Sequence, residues 1–262
     1  LSECTSLFQY CKERGRSMIH YIKFELKNTL GYSIAMIVGG LLPLILAIGN
    51  YHSTSNTAAN QSLSISLFST LLPMIPLGLV ILPFTIAFGR DTESGVVTRL
   101  NLFGYSTVKQ LIAKFVSVVI LVTGVTVIYL VVLLNTMSLP KPSTLTVINI
   151  FAGVLLLTVA LYLVAFTIAQ VFKGFNMIQG VAMIVYFGIA LLTGTMGDFQ
   201  LTGWIEKVAE LIPFKVFRDN LNAHWTSTSF SQGKELSHLL IFLVFTAFLF
   251  AIANYFRIRS RH

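Results

Sequence analysis

Six long apolar segments, separated by polar stretches, dominate the pattern of hydrophobic and polar residues along this chain. A helix that crosses the ~30 Å hydrocarbon core of a bilayer needs ~20 mostly apolar residues. Runs of about that length occur at Leu30–Gly49, Leu63–Gly89, Leu111–Met137, Leu145–Phe172, Phe175–Thr195 and His238–Phe256. Lys and Arg are nearly absent from their central parts, as membrane insertion requires. The pattern predicts an all-α integral membrane protein with six transmembrane helices.

The segment Ser17–Thr29, before the first span, is amphipathic. Its apolar residues recur at helical spacing and lie opposite Lys23 and Lys27; they are Met18, Tyr21, Ile22 and Leu26. A helix of this kind lies in the plane of the membrane interface. We expect an N-terminal interfacial helix, whose candidate functional residues are Tyr21, Ile22, Glu25 and Leu26.

The stretch Met196–Leu236, before the last span, is too charged to span the membrane and too apolar for a plain loop. Helical spacing places four apolar residues on one stripe, namely Trp204, Val208, Leu211 and Ile212. Pro213 breaks this helix because proline lacks the backbone N–H and clashes with the preceding turn. We expect short external re-entrant helices here.

Composition agrees with lipid as the main solvent of the chain. Only 11% of the 262 residues are charged and 55% are hydrophobic, with a mean hydropathy of +0.79, whereas soluble domains carry roughly 25% charge. The net charge of +8 does not indicate nucleic-acid binding, because the basic residues lie at segment ends and in short loops.

The distribution of those basic residues predicts the orientation. Most of the 18 Lys and Arg residues lie in the N-terminus, the second and fourth loops and the C-terminus, and such residues are enriched on the cytoplasmic side. We expect both termini in the cytoplasm of a plasma-membrane protein. The chain then forms one transmembrane domain, with a cytoplasmic N-terminus (1–29), a six-span bundle (30–256) and a basic tail (257–262).

Familiar catalytic and energy-coupling patterns are missing from the sequence. No ionisable residue lies near the middle of a span, which disfavours a carrier driven by protons or sodium. There is no H-E-x-x-H and no P-loop motif, and the His and Cys residues lack metal-ligand spacing. We expect no catalytic residue, no metal site and no cofactor bound by this chain.

The loop between the second and third spans, Gly89–Gln110, contains a candidate lever. A short helix from Thr92 to about Phe103 would begin near two acidic residues, Asp91 and Glu93, which a helix N-terminus favours. Gly104 would end it and Ser106 would cap the next span. Val96, Leu100 and Phe103 would share one face. Geometry alone leaves two alternatives open: a helix that docks onto a soluble partner, or an ordinary interfacial loop.

The layout resembles the permease subunit of ABC transporters of the ABC-2 type. That family has an interfacial helix, six spans and a cytoplasmic coupling helix between spans two and three. The loop residues that match its pattern are Asp91, Glu93, Gly95, Leu100, Ser106 and Lys114. The residues that match its stretch before the last span are Leu211, Ile212, Pro213, Phe214, Phe217, Arg218 and Leu221. Two positions depart from the family: Val96 replaces the usual threonine, and Gly104 stands near the usual turn proline.

The resemblance implies an exporter subunit that works with a second copy or a related permease and with two P-loop ATPase subunits. ATP and Mg²⁺ would bind to those ATPases. The implied coupling residues are Asp91, Glu93, Gly95, Val96, Arg99, Leu100 and Phe103.

Two further expectations concern the membrane region. Kinks at Pro73, Pro76 and Pro83 would line the translocation path or the dimer seam, and Gly39, Gly40 and Gly180 are candidates for close helix packing. The uncharged, Phe-rich spans favour amphipathic peptides as cargo, such as bacteriocins or toxins, with drugs or lipid-linked glycans as the alternative. The alternatives of another class are an ATP-independent carrier or channel and a non-transporting scaffold.

Overall fold

The computed structural model describes residues 18–31, 36–53, 55–172, 174–195, 203–226 and 232–259, and this part contains helices and no β-strand. Ser17, where the interfacial helix is predicted to begin, and the end of the basic tail lie outside the described residues. The helices are α1 (18–30), α2 (Met36–Gly49), α3 (Thr57–Leu71), α4 (Met74–Glu93), α5 (Val96–Leu102), α6 (Thr107–Thr136), α7 (Thr144–Val171), α8 (Phe175–Leu192), α9 (Trp204–Leu211), α10 (Phe214–His224) and α11 (Gln232–Arg259).

Five helices of the described part are long and apolar enough to cross a membrane. They are the continuous pair α3–α4 (Thr57–Glu93), then α6, α7, α8 and the stretch Leu236–Tyr255 of α11. This confirms the prediction of an all-α membrane protein. Of the first predicted span, Leu30–Gly49, the structure describes Leu30, Gly31 and α2, and residues 32–35 lie outside the described part. At 1.5 Å per residue α2 is about 21 Å long, shorter than the ~30 Å hydrocarbon core. Its first six residues, Met36–Leu41, form a π-helix.

The second predicted span begins earlier than its apolar run. The Asn56 side chain accepts hydrogen bonds from the amides of Ala58 and Ala59, and this N-cap starts α3 at Thr57, six residues before Leu63. Pro73 then separates α3 from α4, because proline cannot donate the helical hydrogen bond. Polar residues fill the first turns of α3, which is why the hydrophobic pattern did not include them.

Helix α4 is the central helix of the bundle. It packs against α2, α6, α7 and α8, and 94% of the apolar window in α3–α4 is buried. By contrast, 22% of the corresponding window is buried in α8 and in α11, so these two helices offer most of their surface to the surroundings. A movement of α4 therefore has to be shared by the helices around it.

Two glycines allow α2 to cross α4 at backbone contact. A Cβ atom placed on Gly78 would lie 2.6 Å from the Cα atom of Gly39, closer than real Cβ atoms come to backbone. Gly39 therefore allows close helix packing as predicted. A Cβ on Gly40 would meet only Val125, at 3.9 Å, and one on Gly180 would meet nothing within 4 Å, so these two glycines do not serve a close contact within the subunit.

The segment before α11 is packed into the bundle. Helices α9 and α10 meet at Pro213, where the sequence predicts a break. Three residues of α10 are buried: Phe214, Phe217 and Leu221. The Trp225 indole N–H donates to the Pro140 carbonyl (2.8 Å). The predicted apolar stripe is wrong at the two of its residues whose side chains the structure describes, because Trp204 is 74% exposed and Ile212 is buried. The side chains of Val208 and Leu211 lie outside the described residues.

Candidate functional site

A buried cluster of three charges lies where α1, α4 and α6 meet. The Lys114 ammonium is 2.9 Å from a Glu25 carboxylate oxygen and 3.0 Å from an Asp91 carboxylate oxygen. Side-chain exposure is 7% for Lys114, 5% for Glu25 and 18% for Asp91. One cation thus joins three helices that are far apart in the sequence, and we call these residues the charge cluster.

The apolar stripe of α1 holds the first member of the cluster in place. The Ser117 hydroxyl on α6 donates to the Ile22 carbonyl (3.0 Å), and Leu26 packs against the core. The Tyr21 and Tyr105 rings lie 5.0 Å apart. Burial, and then the nearby Glu25 carboxylate, raise the pKa of Tyr21, so this phenol stays neutral. The stripe that predicts an amphipathic helix is therefore covered by protein.

Because the cluster is buried, each of its charges depends on its partner. A buried charge is costly unless it is paired, and removing one partner of a buried pair is far more costly than the pair is worth. Two carboxylates share one ammonium here. Loss of the Lys114 charge would therefore leave two buried anions that repel each other. All three charged groups of the cluster are engaged in these ion pairs. Its chemistry is that of a rigid link between helices.

The prediction that Asp91 and Glu93 begin a short helix is wrong. Both lie in the last turn of α4, which continues to Glu93. Gly95, at φ +73°, then turns the chain in a conformation that glycine adopts without strain. A carboxylate in the last turn of a helix is disfavoured by the helix dipole. The Lys114 ammonium offsets this effect by neutralising the Asp91 charge.

Helix α5 follows this turn as a short helix of Val96–Leu102. It ends as predicted at Gly104 (φ +85°), where the amides of Gly104 and Tyr105 donate to the Asn101 and Leu100 carbonyls. These two bonds form a Schellman motif, which fixes the end of a helix. Ser106 occupies the N-cap position of α6, but its side chain makes no capping hydrogen bond, so that part of the prediction is wrong.

Gln110 ties α5 to α6. Its buried side-chain amide donates to the Tyr105 carbonyl (2.7 Å) and the Val97 carbonyl (3.3 Å). Since Gln110 lies one turn before Lys114 on α6, this bond connects the short helix to the charge cluster.

The outer side of this turn is apolar. Leu102 and Phe103 are 82% and 81% exposed, and Arg99 beside them is also exposed, whereas Val96 and Leu100 are half-buried. The predicted shared face of Val96, Leu100 and Phe103 is therefore wrong. Phe103 caps the helix and lies on the outside with Leu102. Two large apolar side chains thus lie together at this helix end, and the rest of the described chain leaves both uncovered.

Glu93 has a role that sequence reasoning missed. Its carboxylate accepts a hydrogen bond from the Phe175 backbone amide (2.8 Å), at the first residue of α8. An anion at a helix N-terminus satisfies an unpaired N–H and is favoured by the helix dipole. Glu93 thus links the end of α4 to the start of α8.

We expect Glu93→Ala to destabilise the first turn of α8 by about 1 kcal/mol, as loss of an N-cap does. Hydrogen exchange of the amides of Phe175–Ile178 in the full-length chain checks this, with an acceleration of roughly fivefold expected. Glu206→Ala, which removes an exposed carboxylate from α9, is the matched control. Unchanged exchange in the Glu93 variant, or equal acceleration in both, would contradict the capping role.

The predicted prolines lie inside the subunit. Pro73, Pro76 and Pro83 are all buried among the chain's own helices. Pro73 interrupts the helix, Pro76 lies in the first turn of α4 and Pro83 lies in its interior. Their role in a path or seam stays a prediction.

Lys114 is the main residue that the sequence analysis undervalued, as one motif position among several. The signal was available, because a lone cation inside an apolar run needs a partner. The two acids that pair with it, Glu25 and Asp91, were both already candidates for other reasons.

The charge cluster, α5 and Glu93 together join α1, α4, α6 and α8 at one end of the bundle. Neither a family model nor a curated protein sequence matches this chain. Function is therefore inferred from this geometry.

Proposed function

We propose that this chain is the membrane-spanning permease subunit of an ATP-driven exporter, in which a separate P-loop ATPase binds α5. One observation carries the proposal: an exposed apolar tip, Leu102 and Phe103, projects from a short helix that is clamped to the bundle. A side chain of this size exposed to water gains free energy when a partner covers it. This sequence contains no P-loop motif, and in this proposal the motor is a separate chain.

The contacts that hold α5 on the bundle provide a path for force from α5 into the membrane. Gln110 connects α5 to α6, and Lys114 connects α6 to Glu25 on α1 and to Asp91 on α4. Because α4 is the buried centre of the bundle, a push on α5 is passed to the helices that surround α4. In this proposal ATP and Mg²⁺ bind only in the partner ATPase, and closure of the ATPase pair supplies the push.

The other end of the bundle offers a surface suited to amphipathic cargo. A cleft of about 680 Å³ lies between α2, α3 and α10. Its nearest lining residue on α3, Leu71, is about 30 Å from Asp91 along the α3–α4 pair, at 1.5 Å per residue. Its lining mixes polar and apolar groups, among them Ser66, Leu67, Thr70 and Asn222. Such a lining suits amphipathic peptides, or alternatively drugs or lipid-linked glycans, moved by this chain together with a second copy or a related permease. The proposed orientation places both termini and α5 in the cytoplasm.

Replacing Leu102 and Phe103 with Asp is expected to reduce capture of the ATPase at least tenfold, because truncation of an interface hot spot costs about 2 kcal/mol or more and the proposal makes this tip the hot spot. The measurement is co-purification of the full-length chain with the P-loop ATPase that the proposal expects to be encoded beside its gene, followed by assay of ATP hydrolysis. Trp204→Asp is the matched control, since Trp204 is a similarly exposed residue on α9.

Three results would count against the proposal. One is retention of the ATPase by the double Asp variant at the level of the unmodified chain, and another is an equal loss in the Trp204 control. Transport by the purified chain in vesicles without any ATPase would instead favour a carrier or channel.

A further inference from the structure

Arg90, the residue before Asp91, has a guanidinium group that none of the neighbouring carboxylates neutralises. Three acids lie close to it along the chain or across the same end of the bundle: Glu25, Asp91 and Glu93. Glu25 and Asp91 are paired with Lys114, and Glu93 accepts from the Phe175 amide. Among the described residues, Arg90 forms no ion pair with any of them.

A second cation lines the same cavity. Lys27 on α1 and Arg90 on α4 border an opening of about 350 Å³, together with Phe24, Asn28 and Gly31. That volume lies within the ~300–1,000 Å³ range of small-molecule sites. Lys27 also forms no ion pair within the part of the chain that the structure describes. Two positive charges and the amide of Asn28 thus border one opening, with no carboxylate in its lining.

The position of the lining residues in the sequence places this opening at the expected depth of a lipid headgroup. Arg90 ends the apolar run of α4, after Phe88 and Gly89, and Lys27 comes just before the first apolar run of the sequence. Cations at the ends of apolar runs lie at the level of the lipid phosphates. The lining also includes Phe24, which is 63% exposed and offers an apolar surface beside the charges. This combination fits a phosphate that carries an acyl-glycerol group better than a free phosphate ion.

We infer that Lys27 and Arg90 form a binding site for the phosphate group of an anionic phospholipid, at the junction of α1 and α4. The Arg90 guanidinium donates two hydrogen bonds to phosphate oxygens in the planar geometry that arginine favours. Lys27 adds a point charge and Asn28 an amide donor. The glycerol and acyl chain then lie against Phe24. Bound lipid holds α1 against α4 beside the charge cluster. This inference does not depend on an ATPase.

The test is lipid binding to the purified full-length chain by native mass spectrometry, with phosphatidylglycerol and phosphatidylcholine as the two probes. We expect a preference for phosphatidylglycerol, and we expect Lys27→Gln and Arg90→Gln each to weaken its binding about tenfold, because each removes a charge-assisted hydrogen bond to the phosphate. Arg90→Lys should give a smaller loss, because it keeps the charge and loses the two-pronged contact.

Lys23→Gln is the matched control: Lys23 is exposed on the same helix, one turn earlier, and lies outside the lining. It should change phosphatidylglycerol binding less than twofold. Equal losses in the Lys23 and Lys27 variants would overturn the site in favour of a general surface charge effect. Displacement of phosphatidylglycerol by millimolar inorganic phosphate or glycerol phosphate would overturn the lipid as the ligand. Equal binding of the two lipids would overturn the selectivity for an anionic headgroup, because phosphatidylcholine carries the same phosphate with a neutralising choline.

Discussion

Replacing Lys114 with Met is expected to lower the free energy of unfolding by about 3–5 kcal/mol, the range for removing one partner of a buried ion pair. Met fills a similar volume, so packing changes little. The cost arises because Glu25 and Asp91 are left as two anions without a cation, and Glu25 is 4% exposed. The measurement is unfolding of the full-length chain in mixed micelles, followed by circular dichroism against denaturing detergent.

Two further variants separate the charge effect from other causes. Lys141→Met removes an exposed lysine from the loop before α7 and should change the free energy of unfolding by less than about 0.5 kcal/mol. Adding Glu25→Gln to Lys114→Met should restore part of the lost stability, because it removes the buried charge that the single variant leaves behind. A loss below about 1 kcal/mol in Lys114→Met, or no recovery in the double variant, would show that the three charges do not act as a buried cluster.

Most of the helices could be predicted from the sequence, and the contacts between them could not. Long apolar runs need no partner to be recognised, since burial in lipid is a property of each segment. The end of α5 at Gly104 and the break at Pro213 were equally predictable, because they depend on the backbone of one residue. The charge cluster was out of reach, because Glu25 and Lys114 are 89 positions apart and no local rule pairs them.

Errors in the sequence analysis concentrate where tertiary contacts override local preference. Acidic residues favour helix starts, so Asp91 and Glu93 indicated the first turn of α5. In the structure each finds its electrostatic partner elsewhere, Asp91 at Lys114 and Glu93 at the start of α8. A helix end that is unfavourable by itself thus becomes the point where four helices are joined. The same contacts make this end of the bundle the best candidate for a site that receives force.

The crossing of α2 and α4 is a second place where local sequence and tertiary contact have to be considered together. Gly39 lies in the π-helical part of α2, and glycine in a helix costs roughly 1 kcal/mol relative to alanine. The cost is offset because the Gly39 and Gly78 backbones touch, which brings α2 onto the central helix. A π-helical turn at such a contact is typical of sites with a specific structural demand. The crossing also holds α2 beside α4 although α2 is short.

Gly78→Leu is expected to lower the free energy of unfolding by about 3 kcal/mol or more, at the upper end of the range for overpacking, because the new side chain meets the backbone of α2 and cannot turn away from it. The measurement is again unfolding in mixed micelles. Gly124→Leu is the matched control: a Cβ there meets nothing within 4 Å, so the change should be neutral or slightly stabilising through helix propensity.

Gly39→Leu should cost as much as Gly78→Leu, and the double variant should cost little more than either one, because both separate the same pair of helices. Fully additive losses would mean that the two glycines act at independent contacts, and the crossing would then not be the feature that holds α2 to the bundle.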